Sequence, residues 1–481
     1  MSTAVTGSAR RTERRPAGAR AGNVRAAYRG ALSALYARRR FGMRPTLDVA
    51  RALLAALGDP QRTVPSIHIT GSKGKGSVAT MAAEILSAHG VRTGLYTSPH
   101  LVSYRDRMRI DGEAISQRAI VDGLARIERC AHSLERSGTI DRAPTFFEVT
   151  TALAFDWFQR SRVDALVVEV GIGGRWDATN LLASRVGVVT TLELEHTEIL
   201  GHTLAEIATE KSGIFHPGIH AILGDIPPEG RAVFDAAANR LGIALWHLGE
   251  EFRVDERELS AHGQLFRVAL PGHDRFEARI TLHGDFQPRN AALALAATSR
   301  FLGEGPVPFR VVAARRALAR TRVPGRLERV ADRPATYFDV AHTPESARAI
   351  ARSLAEIFPF ADPAESVIVF GCLRGKDPGA MLELLAPLAR SVVLVPIRSE
   401  RSIAPLDLRP RATGRFPTVV VSPSAPAGLD LARSAAGPEG LVLVIGSDYL
   451  VGELLRARTP DAVDEPDLSD PGRPDPPAER R

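Results

Sequence analysis

Short continuous apolar runs alternate along the chain with stretches of helical spacing. The run Ser66-Ile67-His68-Ile69-Thr70 and the segments 164–170 and 186–192 are β-branched and apolar with few interruptions, as strands buried on both faces are. Gly94-Leu95-Tyr96-Thr97 predicts a shorter strand. Helical spacing follows the first run at Val78, Met81, Ala82, Ile85 and Leu86. It recurs over 120–133, 146–159 and 204–215, with Thr145 and Glu148 placed to open the second of these. The pattern is helical over 25–57 as well, and Gly58-Asp59-Pro60 stops it. Such alternation predicts an α/β fold, a mostly parallel sheet covered by helices on both faces.

Over 252–282 the period changes to polar–apolar alternation, which predicts antiparallel strands. An alanine-rich helix follows at 290–301, and glycine- and proline-bearing segments punctuate the chain at 303–308 and 321–325. Strands then resume at 336–339, 366–371, 391–396 and 441–446, so a second, smaller α/β unit is expected to join near Arg322. The expected organisation is a disordered basic arm over 1–24, a large unit over 25–321, a smaller one over 322–457, and a disordered tail over 458–481. Both tails lack the large apolar residues that a core requires. No repeat of solenoid period occurs.

With 481 residues the chain exceeds one ordinary domain, and 44% hydrophobic with 24% charged residues is the balance of a soluble globular protein. The net charge of +7 raises the question of nucleic acid, but no basic patch interleaved with aromatics is present, so no nucleic-acid partner is expected. Cys130 and Cys372 lie far apart and form no CxxC pair, which fits a reducing cytoplasm. No apolar run reaches membrane-spanning length, and no apolar segment follows the basic start as a secretory signal would have. A cytoplasmic monomer with no membrane partner is the expectation.

The candidate chemistry begins after the first run, in Gly71-Ser72-Lys73-Gly74-Lys75-Gly76-Ser77. A strand, a glycine-rich turn and a helix let backbone N–H groups wrap a polyphosphate, with the helix N-terminus adding partial positive charge. Lys75 is placed to reach the terminal phosphates, and Ser77 to support phosphate or metal, so a nucleoside triphosphate is the expected ligand. The spacing departs from the common phosphate loop, being compressed and having a glycine after the lysine. Ser98, Glu169 and His196 follow or close other strands, where ligands bind in open α/β sheets. A carboxylate ending an apolar strand needs a cation or water, and Mg²⁺ bridging phosphates would satisfy Glu169. Taken singly, Glu169 also reads as a solvated strand end and His196 as a hydrogen-bonding residue. Gly171-Ile172-Gly173-Gly174 lacks the dinucleotide spacing and reads as a turn allowing close backbone approach. From spacing, Lys211 after Glu210 reads as half of a surface ion pair.

Taken in order, these motifs resemble the folylpolyglutamate synthase and dihydrofolate synthase family, which belongs with the muramyl-peptide ligases. The resemblance rests on Thr70 to Ser77, Thr97-Ser98-Pro99-His100-Leu101, Phe146-Phe147-Glu148-Val149-Thr150, and Glu169 to Asn180. It continues through His196-Thr197-Glu198-Ile199-Leu200-Gly201, Glu210-Lys211-Ser212-Gly213-Ile214, Pro324-Gly325-Arg326-Leu327-Glu328, Asp339-Val340-Ala341-His342, and Gly446 to Gly452. It covers roughly Arg25 to Leu455. The resemblance implies a Mur-ligase-like ATPase domain and a smaller Rossmann-like C-terminal domain. It implies that Gly74, Lys75, Gly76 and Ser77 cradle ATP, that Asn290, Arg326 and Asp339 contact the nucleotide with His342 beside it, and that Ser98, Glu169 and His196 bind Mg²⁺. Lys211 matches a lysine that the family carbamylates to hold a second metal, which reverses the reading from spacing. Thr145, Phe146, Phe147 and Asp177 match pterin-contacting positions, with Lys75, Lys211 and His196 the catalytic set.

Three departures stand out. Glu195 replaces the family's aspartate before the histidine, and Val340 replaces a glycine. Thr343-Pro344-Glu345-Ser346 replaces the bacterial Asn-Pro, and with Lys73 it resembles the eukaryotic-type polyglutamylating enzymes. The implied reaction is ATP-dependent addition of L-glutamate to a reduced folate, or to dihydropteroate, through an acyl phosphate. Two alternatives carry less. A muramyl-peptide-type ligase needs a uridine-nucleotide-binding domain, for which the short segment before Ser66 leaves no room. A non-catalytic nucleotide-binding protein could dispense with Glu169, His196 and Lys211.

Overall fold

The run at Ser66 becomes the inner strand of an eight-stranded sheet in the computed structural model, which describes residues 17–38, 46–359 and 362–459. The strands are β1 (Ser66–Thr70), β2 (Thr93–Tyr96), β3 (Met108–Ile110), β4 (Glu113–Ala114), β5 (Ala165–Glu169), β6 (Ser184–Thr191), β7 (His220–Asp225) and β8 (Leu245–His247). Their order is β4-β3-β2-β5-β1-β6-β7-β8, parallel except for the β3–β4 hairpin at one edge. All five residues of β1 and of β5 are buried, which is why both read as unbroken apolar runs. Ile67, Ile69 and Val167 face the helices Lys75–Ala88 and Gln287–Gly303, while Leu166 and Val168 pack under Phe146–Arg160.

A small antiparallel sheet of β9 (Arg253–Ser260), β10 (Gly263–Leu270) and β11 (His273–Ile280) follows, as the alternation over 252–282 predicts. The C-terminal unit holds β12 (Glu328–Asp332), β13 (Ala335–Phe338), β14 (Ser366–Phe370), β15 (Ser391–Leu394), β16 (Thr418–Val421) and β17 (Leu441–Ile445). Their order is β12-β13-β17-β14-β15-β16, with only β12 antiparallel to its neighbour. Cys130 is half-buried and Cys372 buried, both free. Among the described residues no helix is long and apolar enough to cross a membrane.

The structure corrects the reading at two places. The helix expected over 25–57 is two helices, Ala17–Tyr36 and Asp48–Ala56, and Gly42 and Pro45 fall between them in the sequence. Proline lacks the N–H that a continuous helix needs, so one periodic pattern was split. Residues 17–24, expected in the disordered arm, belong to the first helix. The rest of that arm, and the tail beyond 459, lie outside the described residues.

Candidate active site

Parallel strands all end on one edge of the sheet, so their following loops gather there. Gly74 is the N-cap of the helix Lys75–Ala88 at φ +85°, and a Cβ on it would stand 2.6 Å from Asn290 Oδ1. Glycine therefore permits both the left-handed turn and the approach of Asn290 from the helix Gln287–Gly303. The loop is tied to the end of β6. Ser72 N donates to Thr191 O at 2.9 Å, Lys73 N donates to Thr191 Oγ1 at 2.8 Å, and Thr190 Oγ1 donates to Lys73 O at 2.6 Å. Lys75 Nζ donates to Gly71 O at 2.7 Å and to Ser72 O at 3.2 Å, so the ammonium folds over the loop that it would share with a phosphate. A phosphate there exchanges two neutral acceptors for a charged one, which is the stronger bond.

Glu169 lies beside this loop because of strand register: β5 pairs with β1 so that Glu169 stands opposite Ile69. Its Oε2 accepts from Ser98 N at 2.9 Å, and the open face of Gly76 looks onto it, a Cβ there lying 3.5 Å away. Burial pushes this carboxyl up, and Lys75, the Ser98 N–H and Arg326 pull it back. A buried carboxylate beside the Ser98 backbone suits a hard divalent cation, which prefers oxygen ligands. Ser98 and Glu169 thus meet, as the sequence suggests. His196 precedes the short helix Thr197–Leu200 at its N-cap, in a left-handed conformation at φ +48°, directly after Glu195. In Glu169→Gln the shape stays and the charge goes. As a test of the cation-binding role that the resemblance implies for Glu169, the Mg²⁺ concentration for half-maximal turnover is expected to rise about tenfold, equivalent to ~1.4 kcal/mol, with the KM for the acceptor nearly constant. An unchanged Mg²⁺ requirement would assign the cation to another residue.

Lys211 overturns the reading from spacing. It is 1% exposed, and its Nζ lies 3.2 Å from Glu195 Oε1. Consecutive helix residues point about 100° apart, so Glu210 faces outward towards Arg175, at 3.7 Å, while Lys211 faces in. Burial, and next the charge of Lys75, lower the Lys211 ammonium to about 8. Burial acts to raise the Glu195 carboxyl, but Lys75, Lys211 and Lys73 outweigh it and hold the group below its usual range. The glutamate that replaces the family's aspartate has the arm to make this contact.

An aromatic group gathers at the start of the helix Phe146–Arg160. Thr145 opens the helix Phe146–Arg160 in a capping box with Glu148, which Arg142 grips through both oxygens at 2.8 Å. Phe146 is buried: Tyr36 stacks on it with centroids 5.6 Å apart, and the Arg107 guanidinium lies over it at 5.3 Å. Phe147 is the half-buried member of the pair. Asp177 is buried and spends its oxygens locally. Oδ2 accepts from Gly171 N and Ile172 N at 3.0 and 3.1 Å, and Oδ1 accepts from Thr179 N and Oγ1 at 3.0 and 2.6 Å. Gly171 to Gly174 is thus a turn closed by a carboxylate, in keeping with the turn that the glycines predict.

Family models match in two consecutive blocks, the Mur ligase middle domain over residues 69–298 and the Mur ligase glutamate ligase domain over 325–448. A dihydrofolate synthase/folylpolyglutamate synthase of Mycobacterium tuberculosis is 37% identical over 384 residues, covering 77% of this chain and 78% of that protein. The chain belongs to the folylpolyglutamate synthase/dihydrofolate synthase family. The solved Mycobacterium tuberculosis folylpolyglutamate synthase complexed with ADP matches at a TM-score of 0.82 and 34% identity, over 91% of this chain and 99% of that one. An FPGS–AMPPCP–folate complex matches at a TM-score of 0.77 and 30% identity, over 90% and 99%.

In this family member the C-terminal unit brings three more of the expected residues. Asp339 is buried, and its oxygens accept from Leu327 N and Ala341 N, both at 2.7 Å; burial raises it to about 6 against the pull of Arg326. Arg326 is close enough to act on Glu169 also, so its charge spans the two units. His342 Nδ1 pairs with Val340 O at 2.9 Å. Val340 itself fits without a left-handed backbone, its N–H donating to Gly325 O at 3.0 Å. Four residues escaped the sequence reading as site members: Tyr36, His100, Arg107 and Leu101. Arg107 Nε donates to His100 Nδ1 at 2.8 Å, and Tyr36 Oη lies 3.4 Å from His100 Nε2. Arg107 is 1% exposed, and as one of three alternating arginines, between Arg105 and Arg109, it carries no sequence signal of burial.

Proposed function

We propose that the protein joins L-glutamate to a folate-type carboxylate at the expense of ATP, extending reduced folates and accepting dihydropteroate as a second substrate. The observation that carries this reading is the phosphate-type loop with Lys75 folded over it, beside the buried Glu169 at the end of β5. Lys75 acts on both Glu169 and Lys211, and Arg326 of the other unit acts on Glu169. Membership of the family and the likeness to an FPGS–AMPPCP–folate complex support the nucleotide and the acceptor.

The acceptor carboxylate attacks the γ-phosphorus of ATP, the bond to the β-phosphate oxygen breaks, and ADP leaves an acyl phosphate. The glutamate amine then adds to the acyl carbon, and collapse of the tetrahedral intermediate expels phosphate and a proton, leaving an amide. Lys75 and the loop N–H groups hold the transferring phosphoryl group. Ser98, Glu169 and His196 would hold Mg²⁺, which when bound neutralises phosphate charge. Arg326, reaching from the second unit, adds positive charge and closes the site against water, which would hydrolyse the acyl phosphate. Tyr36 and Phe147 offer aromatic surface to a pterin, with Phe146 stacked on Tyr36.

We propose further that Lys211 works as a carbamate. An amine lowered to about 8 is in part neutral near pH 7.5. Its nitrogen lone pair attacks CO₂ and its proton leaves to solvent, so a buried cation becomes an anion able to hold a second metal. Thr343-Pro344-Glu345-Ser346 and Lys73 favour reduced folates as the main acceptor. The test is ligation by the purified chain with ATP, Mg²⁺ and L-glutamate, comparing tetrahydrofolate with dihydropteroate. Glutamate incorporation is expected with both and faster with tetrahydrofolate. Absence of incorporation with either acceptor would overturn the reading.

A further inference from the structure

Leu101 sits where the two units meet beside the proposed catalytic corner. It belongs to the loop after β2, whose Ser98 N–H donates to Glu169 at 2.9 Å. The same loop is held at His100 by Arg107 Nε, at 2.8 Å. Leu101 and Val102 then leave the core of their own unit. They pack on an apolar cluster of the other, which includes Phe338, Val340 and Val451. Gly325 makes the room. At φ +68° it carries no Cβ, and one placed there would stand 2.8 Å from Leu101 Cδ2 and 2.9 Å from Val340 Cγ1. One apolar side chain therefore touches the glycine that precedes Arg326, and lies three residues from the serine that meets Glu169.

A second contact joins the units elsewhere. Leu259 and Ala261, at the β9–β10 turn, pack on the C-terminal core around Tyr337 and Leu354. Arg257 Nη2 donates to Glu356 Oε2 at 2.6 Å, and Arg329 Nη1 to Ala261 O at 3.3 Å. This contact uses neither the Ser98 loop nor Arg326. The interface thus has a part continuous with the corner and a part that merely holds the units together.

We propose that Leu101 is a positioning residue, transmitting the seating of Gly325 and Arg326 to the Ser98–Glu169 corner. It rests on the reading of that corner as the nucleotide and cation site. Glu169 and Arg107 hold the Ser98 loop from its own unit, and the second unit adds apolar support to it through Leu101. When Gly325 withdraws, the loop loses its apolar anchor and the Ser98 N–H loses its fixed distance to Glu169. Nucleotide affinity and loop order are thereby coupled to docking of the units, and coupling between sites of this kind is typically worth at least about fivefold in affinity.

The experiment compares full-length wild type with Leu101→Ala, Leu101→Met and Arg257→Ala. Two readouts need no turnover: calorimetric affinity for AMPPCP in the presence of Mg²⁺, and amide hydrogen exchange of residues 98–102. Leu101→Ala is expected to weaken AMPPCP binding about five- to tenfold and to speed exchange in that segment. Leu101→Met, which keeps the apolar reach, is expected to restore both nearly to wild type. Arg257→Ala loosens the remote contact and is expected to change neither. If Leu101→Ala alters only thermal stability, or if Arg257→Ala matches it in both readouts, the proposal is overturned. Wild-type protein that does not bind AMPPCP at all would overturn the nucleotide site as well, a result distinct from binding that is insensitive to Leu101.

Discussion

Lys75→Ala is expected to lower kcat/KM for ATP at least about 1,000-fold, or ~4 kcal/mol, while the fold survives. The loop's shape depends on Gly74 and on the bonds of Ser72 and Lys73 to Thr190 and Thr191, none of which involve the Lys75 side chain. Among the described residues the ammonium's hydrogen bonds go to two carbonyls of its own loop, so its loss removes charge rather than scaffold. Circular dichroism and thermal melting should match wild type within a few degrees while ligation falls to background. Lys75→Arg is expected to rescue little, because a guanidinium is larger than the ammonium that the curled loop encloses. Turnover near wild type in the alanine variant would remove Lys75 from phosphate binding altogether.

Lys211→Ala is expected to reduce kcat about 100- to 1,000-fold, with ATP affinity changed much less. The buried ammonium lies against Glu195 and within the field of Lys75, so the unmodified side chain adds positive charge where a metal is proposed. Conversion to a carbamate reverses that sign, and the alanine variant leaves a space of carboxylate size. Added acetate or formate should therefore restore part of the rate in Lys211→Ala and do nothing for wild type. The pH dependence has a definite direction. Carbon dioxide reacts with the neutral amine, so at a fixed concentration of dissolved CO₂ activation of the CO₂-depleted enzyme should quicken as pH rises towards about 8 and level off above it. A variant that retains wild-type kcat in CO₂-free buffer would exclude the carbamate.

Both experiments probe residues that the chain discloses very unequally. Lys75 sits in a local pattern of strand, glycines and helix, and its neighbours in sequence are its neighbours in space. Lys211 follows an acidic residue on an exposed-looking helix, and periodicity alone places it in a surface pair. Its true partner, Glu195, lies on another loop, and the helix Leu204–Ser212 had to be set against the sheet before its inward face was known. The aromatic group shows the same limit. Phe146 and Phe147 are adjacent and equivalent as letters, yet Tyr36, from the first helix, buries one and leaves the other half-open.

The sequence by itself determined what depends on near neighbours. The alternation of apolar runs and helical spacing dictates two α/β units, because strands covered on both faces must be apolar throughout. The glycine loop points to the proposed phosphate site, because glycines let the backbone turn its N–H groups inward. The capping box of Thr145 and Glu148, and the antiparallel strands of 252–282, are local in the same sense. Only the tertiary structure decided which distant groups share a field. Strand register sets Glu169 opposite Ile69, Arg107 is buried between His100 and Phe146, and the space at Gly325 seats Leu101 of the other unit. The reason is one of range: backbone sterics and periodicity act over a few residues. Burial and charge act over a few ångströms, and those distances exist only after the sheets have formed and the two units have met.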